Sequence, residues 1–441
     1  MESSQTAEAL VARIRGGRVN VAVVGLGYVG LPLALLCARK VSKVVGIDLD
    51  RERVKNVERG KSYIDDVSDK ELQAAVRDGK FRATADYAAI ADCDVVIVCV
   101  PTPLLKTGAP DLSFIVQSTD SVAQHMAPGK LVILESTSYP GTTDELVRPR
   151  LEQDGWRVGR DFWLAFSPER VNPGPAYREF NIENVPKVVG GITPDCTRVA
   201  AEFYRRVVQT VVEVSTSRVA EMVKLLENTY RSVNIALVNE LAQMCRKLGI
   251  DVWEVVDAAK TKPYGFQAFY PGPGLGGHCI PVDPLYLAWK ARLYGFEPRF
   301  IDLAGRVNSE MPHFVVELAV GLLNDQMKPM RGSTVHVLGV AYKPDVSDTR
   351  ESPALPIIEG LREKGAAVSY TDNHVPRVTL PDGTEMESVA LKACDLPGKD
   401  LVIIVTHHAD FPWKWVAENS RLILDTRNVL KGYDGAHVHR L

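Results

Sequence analysis

The chain has 441 residues, 46% of them hydrophobic and 24% charged, with a net charge of −3 and a pI near 6.3. That balance fits a folded globular protein of about two to four domains, and it excludes a chiefly disordered chain. It offers no basic field for nucleic acid, and no run of about 18 apolar residues provides for a membrane span. The N-terminal stretch MESSQTAEALVARIRGG lacks the apolar core of a signal peptide and predicts a short lead-in helix. Seven cysteines, at 37, 93, 99, 196, 245, 279 and 394, form no CxxC pair. Neither a disulfide framework nor a zinc cluster is expected, and a reducing, cytoplasmic setting fits.

Taken in chain order, Asn20–Val24 is a β-branched run ending in GLGYVGLP, followed by an amphipathic segment and a second apolar run, VSKVVGIDLD. DVVIVCVPTP (94–103), KLVILESTS (130–138), FWLAFSPER (162–170) and KVVGGI (187–192) are further buried-strand candidates with helical patterns between them. Strands alternating with helices predict a doubly wound parallel sheet. From Ser217 to Gly249 no Gly or Pro interrupts the sequence, which predicts one helix of about 30 residues, about 45 Å long. It is apolar on most sides, so it calls for burial against other helices or a second copy of the chain. A helix is also expected over Leu285–Tyr294. From Gly332 the strand–helix alternation returns through GSTVHVLGVAYKP, SPALPIIEGLREKG, AAVSYTD, DLVIIVTHH and RLILDTRN. The expected fold is α/β, with two Rossmann-like parallel-sheet domains (1–210 and 326–441) joined by a central all-helical domain (211–325).

Gly25-Leu26-Gly27-Tyr28-Val29-Gly30 matches GxGxxG directly after a strand and at the start of a helix, and Asp48 closes the next strand. In that context the pattern is a dinucleotide fingerprint. A carboxylate at 48 suits a ribose diol and repels a 2′-phosphate, so NAD is expected rather than NADP. A Walker loop is excluded, because Lys55 stands where Gly60-Lys61-Ser62 would need a glycine upstream.

One thiol stands apart from the apolar runs that hold the other cysteines. Cys279 lies in GPGLGGHCIPVDP (272–284). Three readings compete for this loop: a structural turn, a metal site of His278, Cys279 and Asp283, or a catalytic thiolate on a turn that a substrate can approach. Adjacent ligands and the absence of a further Cys/His cluster disfavour metal. A nucleophilic cysteine beside an NAD site has a definite chemical meaning. The thiol traps an aldehyde as a thiohemiacetal, a second hydride leaves to give a thioester, and water releases an acid. Alcohol becomes carboxylate at the expense of two NAD. On the long helix Lys224, Asn228 and Arg231 share one face, and a lysine with an amide there suits an oxyanion. Glu169, just past a strand end, is a further candidate.

These segments together resemble the UDP-glucose/GDP-mannose dehydrogenase family over nearly the whole chain. The motifs that carry the resemblance are VGLGYVGLP (24–32), VCVPTP (98–103), ESTSYPGTT (135–143), SPER (167–170), KLLENTYRSVNIALVNE (224–240), GGHCIPVDP (276–284) and GVAYKPDVSDTRESP (339–353). The resemblance implies that Cys279 is the nucleophile, with Lys224, Asn228 and Asp283 around it. It makes Glu169 the general base of thioester hydrolysis, with Thr137 placing the water. Tyr28, Val29, Pro101, Thr102, Thr137 and Arg350 join the glycines and Asp48 at the cofactor. Glu169, Arg170, Lys224, Asn228, Arg231, Tyr270, Gly276, His278 and Lys343 face the sugar nucleotide, and no metal is involved. A homodimer or higher oligomer through the central helices is implied. GGHCIPVDPLYLAWKA differs from the GGSC of UDP-glucose enzymes and resembles the branch acting on UDP-N-acetylhexosamines, with UDP-N-acetylglucosamine 6-dehydrogenases nearest. UDP-ManNAc, UDP-GalNAc and UDP-glucose remain as alternatives. A single-step hydroxyacid dehydrogenase would need no cysteine, a sensor would need no nucleophile, and a thiol hydrolase leaves Gly25–Gly30 with Asp48 unexplained.

Overall fold

The computed structural model describes residues 2–441 except 65, 106, 107, 172–178, 278 and 434. The chain divides into two compact units, residues 1–227 with 285–295, and residues 228–284 with 296–441.

The first unit is built on an eight-stranded sheet. Its strands are β1 (Asn20–Val24), β2 (Lys43–Ile47), β3 (Phe81–Thr84), β4 (Val95–Val98), β5 (Leu131–Leu134), β6 (Trp163–Phe166), β7 (Lys187–Gly191) and β8 (Val211–Glu213), in the order β3-β2-β1-β4-β5-β6-β7-β8. β4 to β6 are fully buried, and β1 is buried from Val21 onward, as expected of strands covered on both faces. The order reverses at β1, whose two neighbours are β2 and β4, and the GLGYVG turn follows β1 at that switch point. One junction departs from the expected parallel sheet: β6 and β7 run antiparallel. Parallel neighbours need a crossover, usually a helix, and the described residues of the β6–β7 connection contain none.

The Ser217–Leu248 helix spans 32 residues, as its uninterrupted sequence predicts. Gly249 ends it at φ 70°, donating to the Arg246 carbonyl, while Ile250 donates to that of Cys245. This is a left-handed cap that glycine adopts at little cost. Val219, Met222, Leu226, Tyr230, Leu237, Met244 and Leu248 are all exposed along it at near-helical spacing.

In the second unit a 27-residue helix, Arg299–Asp325, packs with Ala354–Glu363 against a smaller sheet. The strands there are β9 (Thr334–Leu338), β10 (Ala367–Thr371), β11 (Arg377–Thr379), β12 (Glu385–Glu387), β13 (Leu401–Ile404), β14 (Ile423–Asp425) and β15 (Val438–Arg440). The order β10-β9-β13-β14-β15 is parallel throughout, and β11–β12 forms a separate hairpin. Gly339 repeats at the end of β9 what Gly25 does after β1. Both have positive φ, and a Cβ on either would strike the carbonyl of a neighbouring strand end, Thr406 or Cys99. No helix among the described residues is long and apolar enough to cross a membrane.

Candidate active site

The glycine turn of the first unit separates three jobs among its three glycines. Gly25 takes φ 90°, and a Cβ there would sit 2.7 Å from the Cys99 carbonyl oxygen. At Gly30 a Cβ would come 1.8 Å from the Gly25 carbonyl oxygen, so helix Gly30–Ala38 can start there only without a side chain. Beside Gly27 nothing lies within 4 Å. That opening is the approach a pyrophosphate needs at a helix N-terminus. Asp48 directly follows β2 and accepts from the amides of Leu26 (2.8 Å) and Asp50 (2.9 Å), with Arg53 at 3.4 Å. The carboxylate therefore holds the glycine turn to the strand that carries it. Tyr28 is exposed and Val29 half-buried on the turn. Pro101 is exposed, and the buried Thr102 has its carbonyl held by the Tyr286 hydroxyl. These features fit a bound dinucleotide.

The same unit carries Thr137, Lys224 and Glu169. Lys224 Nζ donates to Thr137 Oγ1 at 2.5 Å. Glu221, one turn earlier on the helix, accepts from the amides of Gly141 (2.6 Å) and Thr143 (2.9 Å) and from the Thr143 hydroxyl (2.7 Å). It pins the ESTSYPGTT loop to the Lys224 helix. Burial pushes this carboxyl up to about 7 despite its three donors. Glu169 Oε1 accepts from the amides of Arg170 and Val171, both at 2.8 Å, and Oε2 from Lys187 at 3.1 Å. Burial alone would raise the Glu169 carboxyl, yet the Lys187 ammonium and the Val171 amide hold it below the usual range. Arg170 is fixed by Glu227 and the Pro186 carbonyl.

The second unit holds the cysteine loop. Of the seven cysteines Cys279 is the exposed one. Its carbonyl accepts from Asp283 N at 2.8 Å, where helix Asp283–Leu293 begins. Asn228 Nδ2 donates to Asp283 Oδ2 at 2.6 Å, and Arg231 is half-buried one turn further along the same helix. The sequence reading gives the loop glycines to close approach of a substrate. At Gly276 and Gly277 the structure assigns that space to Tyr342, whose side chain would lie 2.7 Å from a Cβ on either. Gly277 N donates to the Arg350 carbonyl at 3.0 Å, and the Arg350 guanidinium pairs with Asp348. Lys343 lies over the Tyr342 ring. Tyr270 stacks on Trp253 and donates to Asp257 at 2.8 Å. His278 lies outside the described residues.

Several supporting residues carry no sequence motif. Asn239 Oδ1 accepts from Gly272 N at 2.9 Å and its amide donates to Asn308 Oδ1 at 2.9 Å, all buried. Lys187, Glu135 and Tyr204 lie behind Glu169. An apolar run containing an isolated Asn or Lys is the signal that could have marked Asn239 and Lys187. His408, just past β13, is fully buried. Its Nδ1 accepts from Asp345 N at 2.9 Å and its Nε2 meets Asp372 at 3.0 Å.

A switch-point glycine turn fitted to a dinucleotide, and an exposed thiol on a braced loop, define a dinucleotide-dependent oxidoreductase. Three domain descriptions of one family match in order: the NAD binding domain over residues 19–208, the central domain over 218–310 and the UDP binding domain over 336–432. The chain is 36% identical over 423 residues to a UDP-N-acetyl-D-mannosamine dehydrogenase of Pyrococcus horikoshii, covering 94% of this chain and 96% of that protein. It is 35% identical over 415 residues to a UDP-N-acetyl-D-glucosamine 6-dehydrogenase of Pseudomonas aeruginosa, covering 93% and 96%. A solved structure of the UDP-D-ManNAc dehydrogenase from P. horikoshii superposes with a TM-score of 0.86 at 34% identity, covering 96% of this chain and 98% of that one. The chain belongs to the UDP-glucose/GDP-mannose dehydrogenase family and is an NAD-dependent nucleotide-sugar dehydrogenase.

Proposed function

We propose that the chain oxidises C6 of a UDP-N-acetylhexosamine, with UDP-N-acetylglucosamine as the leading epimer, from alcohol to carboxylate. The observation that carries this reading is the exposed Cys279 on a loop braced by Tyr342, Asn239 and Arg350. Gly25, Gly27, Gly30 and Asp48 with Tyr28, Val29, Pro101, Thr102, Thr137 and Arg350 would hold NAD, which would supply the hydride acceptor for each of two oxidations. The first gives an aldehyde. The Cys279 thiolate adds to its carbonyl carbon, and loss of the second hydride leaves a thioester. Water then attacks that carbon, the C–S bond breaks and the thiolate is regenerated.

Lys224 and Asn228 stabilise the oxyanion. Asp283, which accepts from Asn228, orients the amide, Thr137 places the water, and Glu169 takes its proton. Arg170, Arg231, Tyr270, Gly276, His278 and Lys343 serve the sugar nucleotide. The reading gives residues 1–210 to the cofactor, 211–325 to the thiol loop and self-association, and 326–441 to the UDP group. It places the enzyme in the reducing cytoplasm as a homodimer or higher homo-oligomer, with polysaccharide precursors as the product class.

The choice of sugar follows the GGHCIPVDP pattern. The two relatives named above act, by name, on the manno and gluco epimers. Rates with UDP-GlcNAc, UDP-ManNAc, UDP-GalNAc and UDP-glucose decide it, the highest kcat/KM being expected for UDP-GlcNAc. A higher value for another sugar corrects the epimer. Glu169→Gln should accumulate an acyl adduct on Cys279, visible by mass spectrometry after acid quench. No adduct on Cys279 would contradict the mechanism.

A further inference from the structure

We propose that Lys187 is a positioning residue for Glu169, and that Glu135 and Tyr204 fix Lys187 in that role. The inference rests on the reading of Glu169 as the base of thioester hydrolysis.

Lys187 opens β7, which runs antiparallel to β6, so its side chain starts at the strand end from which the Glu169 loop departs. Its side chain is 4% exposed, and its ammonium meets two carboxylates, Glu135 Oε2 at 2.8 Å and Glu169 Oε2 at 3.1 Å. Glu135, at the end of β5, receives the Tyr204 hydroxyl on its other oxygen. Both Glu135 oxygens are thus committed, and the charge of Lys224 also acts on Glu169. A buried ammonium between two acids cannot be replaced by water and is costly to leave unpaired.

The arrangement is asymmetric. Glu169 also receives two amides, and stays ionised. Burial raises the Glu135 carboxyl despite Lys187, whereas Lys187, the Val171 amide and Lys224 hold the Glu169 carboxyl below its usual range. A base must be ionised to accept a proton from water. Lys187 supplies that charge state, and the two amides leave Oε2 as the oxygen it orients. Glu135 and Tyr204 anchor the ammonium from behind.

The test follows decay of the Cys279 thioester against pH by quenched mass spectrometry. The wild type should be flat from about pH 5.5 to 8. Lys187→Met should gain an acid limb whose midpoint moves up by about one unit or more, the scale of losing one adjacent opposite charge. Lys187→Met with Glu135→Gln removes one buried charge of each sign and should bring the limb part of the way back. If Lys187→Met does not fold, the double variant carries the test, with its limb expected above that of the wild type. Slower decay by one constant factor at every pH, in whichever variant folds, would make the role merely structural and overturn the proposal. Glu169→Gln separates the two layers. If its thioester decays as fast as the wild type, the base assignment fails and the proposal falls with it. If decay stops while the Lys187 variants keep a flat profile, only the proposal fails.

Discussion

Single residues decide whether the glycine turn binds or merely folds. A Cβ at Gly27 would enter open space, whereas one at Gly30 would come 1.8 Å from the Gly25 carbonyl oxygen. Gly27→Ala should therefore melt with the wild type yet weaken NAD by about tenfold or more, roughly 1.4 kcal/mol. Gly30→Ala should lower the melting temperature outright. Thermal melts beside NAD titration check both, and a Gly27→Ala protein with unchanged NAD affinity would contradict the assignment. Glu221 offers a pH test. Its folded carboxyl titrates at about 7 while an unfolded one titrates near 4.3. The folded state therefore holds the proton more tightly. Its stabilising effect is full below about 4.3 and is lost as pH rises through 7, on the order of 3 kcal/mol. Urea unfolding of Glu221→Gln should show a flatter fall between pH 5 and 7 than the wild type. Equal slopes would place the Glu221 carboxyl in the ordinary range.

At the scale of elements the cysteine loop is held by amide groups on two long helices. Asn239 reaches Gly272 N and Asn308, and Asn308 reaches the Ser232 carbonyl at 3.0 Å. Asn239→Ala strands a buried amide N–H and a buried carbonyl oxygen. A loss of about 1–3 kcal/mol in unfolding free energy follows, with a fall in kcat. Unchanged stability in denaturant would mean the loop is braced elsewhere. Much of this level was legible in the sequence. Asn20–Val24 with its glycines, the uninterrupted Ser217–Leu248 run and the β-branched cores of β4, β5 and β13 declare themselves by local pattern. What was not legible depends on long-range partners. Glu135 meets Lys187 across 52 residues and Tyr204 across 69. The Arg299–Asp325 helix has Pro312 buried in its interior, where proline normally argues against a helix. β3, reading FRAT, and the three-residue β8 are too short and too polar to show a period.

For the whole molecule, the exposed apolar row from Val219 to Leu248 matters most outside the active site. Seven large apolar side chains in one near-helical register fit a surface covered in solution, and we propose a second copy of the chain as the cover. Leu237→Glu should convert a dimer to a monomer by light scattering. A wild type that is already monomeric at micromolar concentration would contradict the dimer. The central claim concerns electrons. On the proposed reading the reaction is a four-electron oxidation, and end-point NADH measured against limiting UDP-GlcNAc counts the electrons directly. The account predicts two NADH per sugar nucleotide and a uronate product. One NADH per sugar, with an aldehyde left in solution, would contradict the role given to Cys279.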